Sequence, residues 1–144
     1  MKSRNAFTLI ELVVVVMIIG IIAAIVTPKL VGLTGTSTDN SARQTLTVLR
    51  SAIDTYASQN SGTFPTLSGS GANTFASTYL RSPTFPNCVV GPVAGTNTIE
   101  TQSTGVEMSG AGDGTTAWKF DTSSGEIIIN NNNLDHAGVK YSTY

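Results

Sequence analysis

The chain has 144 residues, a formal net charge of −1 at pH 7 and only 12% charged residues, so it has room for one modest domain beside any targeting or membrane segment. Without a basic excess it offers no surface built for nucleic acid. Serine and threonine supply 36 of the 144 residues, a hydroxyl-covered composition that suits an exported protein, and the single Cys88 excludes an intramolecular disulfide or a thiolate metal cluster. Cys88 is expected as a small buried hydrophobe.

From Phe7 to Val26 the only polar side chains are those of Thr8 and Glu11. As a helix rising about 1.5 Å per residue, this run is long enough to cross one bilayer. Lys2 and Arg4 precede it, which keeps the N-terminus in the cytoplasm and sends the rest of the chain outward. A secretory signal has the same outline, with Ile22-Ala23-Ala24 as a poor cleavage site, and so does a plain single-span anchor. Neither explains Glu11. An ionisable group inside a span is by default functional and needs a partner, and the nearest candidate is an amine.

Cutting the chain before Phe7 would create that amine. Here Ala6-Phe7-Thr8-Leu9-Ile10-Glu11-Leu12, behind a short basic leader, resembles the processing site of type IV pilins and the related pseudopilins of type II secretion. The resemblance implies that a prepilin peptidase removes residues 1–6 and that Phe7 becomes the N-methylated first residue. It further implies that Glu11 neutralises the Phe7 amine of a neighbouring subunit during filament assembly. In a low-dielectric helix bundle an unpaired carboxylate or ammonium is costly and the pair is tolerated, so the pair selects the stagger at which subunits add. Where the family usually carries Gly before the cut, this chain has Ala6, also small, and processing is still expected.

Gly20 and Pro28 interrupt the apolar run where the family also carries a helix-weakening pair, and a local kink or melt is expected there. The following Gly32-Leu33-Thr34-Gly35-Thr36-Ser37-Thr38 has poor helix propensity and is expected as a frayed or bent helix. Helical periodicity returns at Asp39 or Ser41. Ala42, Leu46, Leu49, Ile53, Tyr56 and Ala57 form one apolar face, while Arg43, Thr47, Arg50, Asp54 and Ser58 take the other, with Arg50 and Asp54 spaced to pair. Asn60-Ser61-Gly62 reads as a C-cap, with Pro65 beyond it.

Residues 63–116 are rich in Gly, Ser, Thr, Pro and Asn and are expected as a variable, largely irregular region in which Phe75, Tyr79, Leu80 and Phe85 need burial. A hairpin follows: Ala117–Asp121, a turn at Thr122–Gly125, then Glu126–Asn130. Trp118 with Phe120, and Ile127 with Ile129, share faces by the two-residue period and should pack on the helix. Trp118 is expected as core, not as a ligand-stacking residue.

The resemblance covers residues 1–65 and, in pattern, 117–130. It implies an α+β, pilin-like fold: a leader (1–6), a transmembrane and filament-core helix (7–27), an amphipathic helix (28–62), the variable region (63–116), and a C-terminal β-hairpin and tail (117–144) completing a small antiparallel sheet. Major pseudopilins often carry a C-terminal calcium loop, and Asn130–Asn133 with Asp135 is oxygen-rich. Several acidic residues would be needed. With Asn132 and Asp135 as the weak candidates, a plain polar turn is expected, with no cofactor.

His136, the only histidine, has no nucleophile elbow or oxyanion loop beside it and is expected in a solvated turn, so a non-enzyme is expected. The reading with most support is a homo-oligomeric filament subunit, the major pseudopilin of a type II secretion system. It would sit in the bacterial inner membrane with its head periplasmic before assembly, and meet minor pseudopilins and an inner-membrane platform. The alternatives are a type IV pilus subunit for adhesion, motility or DNA uptake, against which the missing cysteine pair counts, and a membrane-tethered binding module.

Overall fold

The computed structural model describes residues 7–67 and 74–144. Along them run α1 (Leu9–Gln59), α2 (Thr74–Tyr79), β1 (Ile99–Gln102), β2 (Trp118–Asp121), β3 (Ile127–Ile129) and a 3-10 turn at Tyr141–Thr143. This is the α+β layout of one long N-terminal helix followed by a small sheet. Two compact units divide the chain between Gly35 and Thr36.

In the first unit the apolar side chains of α1 are exposed, among them Leu9, Ile10, Met17, Ile19 and Ile25. An 18-residue window there reaches a mean hydropathy of 3.2, so the helix is long and apolar enough to cross a membrane. Helix α1 runs through both Gly20 and Pro28, where a local kink or melt is expected. Pro28 removes one backbone donor from the helix. Beside it, the Thr27 hydroxyl donates to the Ala23 carbonyl at 2.7 Å. The segment 32–38, expected as frayed or bent, is likewise helical.

In the second unit α1 becomes amphipathic. Ala42, Leu46, Leu49, Ala52 and Ile53 are buried, and they join Trp118, Phe120, Ile127 and Ile129 from the sheet in one core. The expected hairpin is present, with Trp118 opposite Ile129 and Phe120 opposite Ile127. Ile128, on the other face, is buried as well. An aromatic chain links helix to sheet: Tyr56 meets Tyr79 with ring centroids 5.3 Å apart, Phe75 stacks on Tyr79, and Phe85 meets Trp118 edge to face at 6.3 Å. Cys88 is buried, its thiol donating to the Val90 carbonyl, and burial pushes its pKa up.

The sheet is mixed, not antiparallel, because β1 lies parallel to β2. Residues 103–117 make the crossover that a parallel pair requires, without a helix. The supposed loop region 63–116 therefore contributes a strand and, in α2, a helical turn.

What fixes that crossover is Asp121. Its Oδ2 accepts from the Thr104 and Gly105 amides, the Thr104 hydroxyl and the Gln102 side chain, and its Oδ1 from the Ser123 and Ser124 amides. Burial pushes the carboxyl up, but these donors outweigh it and hold the pKa far below the usual range.

Helix α1 ends as expected. Ser61 and Gly62 take positive φ, and the Gly62 amide donates to the Ala57 carbonyl at 2.8 Å. In the hairpin turn, Gly125 has φ +75°, and a Cβ there would lie 2.2 Å from Phe64 Cε1. Gly125→Ala is expected to destabilise the head by about 2–4 kcal/mol through left-handed backbone strain and overpacking. Thermal unfolding of the purified variant checks this, and an unchanged midpoint would mean that Phe64 yields freely.

Candidate assembly site and C-terminal clasp

The first turn of α1 is a reciprocal cap. The Thr8 amide and hydroxyl donate to Glu11 Oε2 at 2.8 and 2.7 Å, and the Glu11 amide donates back to the Thr8 hydroxyl at 3.3 Å. A helix start leaves amide donors without partners, and Thr-x-x-Glu supplies oxygens to two of them. The helix dipole favours a negative charge at the same end. Glu11 thus has local partners while surrounded by exposed Phe7, Ile10, Leu12 and Val14. Thr8 is the partner of Glu11 that sequence reading missed, although the T-x-x-E spacing announces it.

Phe7 lies next to this cap and is 72% exposed. The cleavage junction at Ala6 lies outside the described residues. Among the described residues, Glu11 Oε2 is bonded to Thr8.

At the start of the head unit a polar clasp fastens residues 131–144 to α1. The Asp39 carboxylate is buried, accepting from the Tyr141 hydroxyl at 2.6 Å, from the His136 amide at 3.0 Å and contacting His136 Nδ1 at 2.8 Å. Asp135 accepts from Arg43 at 2.7 Å and the Tyr144 hydroxyl at 2.6 Å, while its other oxygen takes the Ala137 and Val139 amides. The Arg43 guanidinium also stacks 4.1 Å from the centre of the Tyr144 ring.

Arg50 does not pair with Asp54 as its spacing suggested. It turns toward the core edge and donates to the Tyr144 and Ile127 carbonyls. Both contacts are part-buried, where a charge-assisted hydrogen bond is screened less than an ion pair between exposed side chains.

The same contacts occupy the oxygen-rich stretch. Both Asp135 oxygens are filled by hydrogen-bond donors, one of them cationic, and Asn132 Oδ1 accepts from the Ser142 hydroxyl. That donor set is opposite in sign to what a Ca²⁺ ion needs, so Asn132 and Asp135 do not fit a metal. No group of three or more His, Cys, Asp or Glu side chains placed to hold a metal occurs among the described residues. His136 is half exposed in its turn but bonded to Asp39.

The Tyr144 hydroxyl, the Val139 and Ala137 amides and Arg43 lower the Asp135 pKa to about 2. Burial pushes Asp39 up, but Tyr141 and His136 outweigh it and its pKa is also lowered. Burial and the Asp135 hydrogen bond push Tyr144 up to about 12. Carboxyls depressed by folding stabilise the folded state above their unfolded value near 4, and that contribution is lost as pH falls through the folded value. The melting temperature of the solubilised chain is therefore expected to hold from neutral pH to about 5 and to drop between about 4 and 2. Asp135→Asn should melt lower at neutral pH and lose less on acidification. Equal acid slopes in the two proteins would count against the clasp.

Comparison with known proteins bears on the first site. A family model described as the prokaryotic N-terminal methylation motif matches residues 1–27. Type II secretion system core protein G of Vibrio cholerae serotype O1 is 38% identical over 66 residues, 46% of this chain and 44% of that protein. The protein of the same name from Dickeya chrysanthemi is 32% identical over 85 residues, 59% of this chain and 52% of that protein. The chain thus matches about half the length of these curated relatives. No solved structure matches it. The capped, exposed apolar helix start thus lies within a match to the prokaryotic N-terminal methylation motif, on a chain similar over about half its length to type II secretion system core proteins G.

Proposed function

We propose that this chain is a structural, non-enzymatic subunit of a pilin-like filament, the major pseudopilin of a type II secretion system. The observation that carries the reading is Glu11, a carboxylate among exposed apolar side chains of a helix, four residues after Phe7 inside a matched methylation motif. Lipid can cover such a helix before assembly, and neighbouring copies of it can do so afterwards.

In this mechanism a prepilin peptidase cuts between Ala6 and Phe7 and the Phe7 amine is methylated. Subunits wait in the inner membrane with the head periplasmic. They then join the filament at the stagger that brings the Phe7 ammonium of one chain to Glu11 of its neighbour, where each charge offsets the desolvation of the other. Minor pseudopilins and an inner-membrane platform act on this chain from outside.

Mass spectrometry of the N-terminal peptide from membrane-extracted protein tests the first step. The expected result is a chain starting at N-methylated Phe7. A chain starting after Ala24 or retaining Met1 in the mature membrane protein would sink the filament reading and leave a secreted or simply anchored module.

A further inference from the structure

Glu100 of β1, Lys119 of β2 and Asn130, the residue after β3, share the sheet face that carries Ile128. Glu100 lies beside Lys119 in the parallel pair, and Lys119 lies opposite Ile128 in the hairpin. Asn130, two residues on from Ile128, is diagonal to Lys119 on the same face, within reach of a long side chain. The Lys119 ammonium is 3.4 Å from Glu100 Oε1, and Asn130 Nδ2 donates to Glu100 Oε2 at 3.3 Å. One carboxylate thus touches an amine with one oxygen and a carboxamide with the other. Asn130 is fully buried and the Lys119 side chain is only 13% exposed, so little water competes for either.

The carboxamide is held as an acyl donor would be. Its Oδ1 accepts from the Asp113 amide at 2.9 Å, which fixes the way the side chain points and places a donor where negative charge would develop on that oxygen. Its Nδ2 faces three acceptors: Asp113 Oδ1 and the Thr116 hydroxyl oxygen at 2.8 Å each, and Glu100 Oε2. The Thr116 hydroxyl directs its own proton to the Trp118 carbonyl, so toward Asn130 it can only accept. A carboxamide nitrogen has two hydrogens for these three oxygens, whereas ammonia has three. The surroundings therefore match the leaving group better than the side chain that now occupies them.

We propose that Lys119 and Asn130 close an intramolecular isopeptide bond, with Glu100 moving the protons. Glu100 accepts a proton from the Lys119 ammonium, and the freed amine attacks Asn130 Cγ. As the bond between Lys119 Nζ and Asn130 Cγ forms, negative charge collects on Oδ1 against the Asp113 amide. Glu100 then gives its proton to Nδ2 and takes another from Nζ. The Cγ–Nδ2 bond breaks as the carbonyl re-forms, and ammonia leaves. One ammonium and one carboxamide become one secondary amide, one ammonia and one proton, with no oxidant or co-reactant. The product ties β2 covalently to the end of β3. It forms within one chain, so it stands apart from the filament reading.

Trypsin digestion and mass spectrometry of the purified full chain test this. Trypsin does not cut after an acylated lysine, so the expected product is one peptide from Ser82 to Lys140, lighter by one ammonia, whose fragments place the link between Lys119 and Asn130. Glu100→Gln keeps the size and polarity of the side chain but cannot take the proton, and linked product should fall at least about tenfold in it. Cleavage after Lys119 with no ammonia lost from the unaltered chain overturns the proposal and leaves a plain ion pair. Loss of ammonia with Lys119 still open to trypsin overturns it as well, since that marks an asparagine cyclised on its own backbone. So does a Glu100→Gln chain that folds and links as fully as the unaltered one. If that variant fails to fold, the unaltered chain alone decides the matter.

Discussion

Glu11→Ala is expected to be processed at its leader and retained in the membrane at the level of the unaltered chain, while sheared filament falls at least tenfold on immunoblots. The loss has two sources that a second variant separates. Glu11 Oε2 receives the Thr8 amide and hydroxyl and so helps to cap α1, and in the proposed filament it meets a neighbour's ammonium. Glu11→Gln keeps an acceptor for the cap and removes the charge. If Gln assembles and Ala does not, the cap is the function; if neither assembles, the charge is. Normal assembly of the Ala variant would defeat the pairing mechanism and favour a tethered binding module.

Trp118→Ala is expected to remove about 3–5 kcal/mol from the head, as a buried aromatic lost from a packed core does. Trp118 is fully buried at the start of β2, the middle strand of the sheet, touches Phe85 edge to face, and donates its indole N–H to the Pro86 carbonyl at 3.0 Å. Truncation leaves a cavity and strands that carbonyl. A small domain has about 5–15 kcal/mol of stability in all, so the head should unfold near or below growth temperature and be cleared by proteolysis. Melting followed by tryptophan-independent far-UV dichroism checks it, and a drop of only a few degrees would place Trp118 outside the cooperative core. The processing junction and the apolar part of α1 belong to the other compact unit, so leader removal should persist while the head is lost.

What the sequence determined by itself is whatever depends on neighbours along the chain. The apolar run, the placement of Lys2 and Arg4, the Ala42-Leu46-Leu49-Ile53 face, the cap at Asn60–Gly62 and the hairpin all follow from local spacing. The cap between Thr8 and Glu11 is equally local and was legible in principle, since T-x-x-E is its signature.

The tertiary structure alone decided the rest, because the deciding partners are far apart in the chain. Glycine- and serine-rich residues 63–116 carry no period, so only pairing with Trp118–Asp121 shows that Ile99–Gln102 is a strand, and a parallel one. The clasp joins residues 92–102 positions apart, Arg43 to Asp135 and Asp39 to His136 and Tyr141, and nothing local distinguishes them from solvated surface charges. Arg50 left its expected partner for the same reason, drawn to carbonyls that folding brings beneath it. Local spacing sets which face of an element is apolar, whereas the burial that makes a distant carboxylate, guanidinium or carbonyl need a partner exists only once the chain has folded.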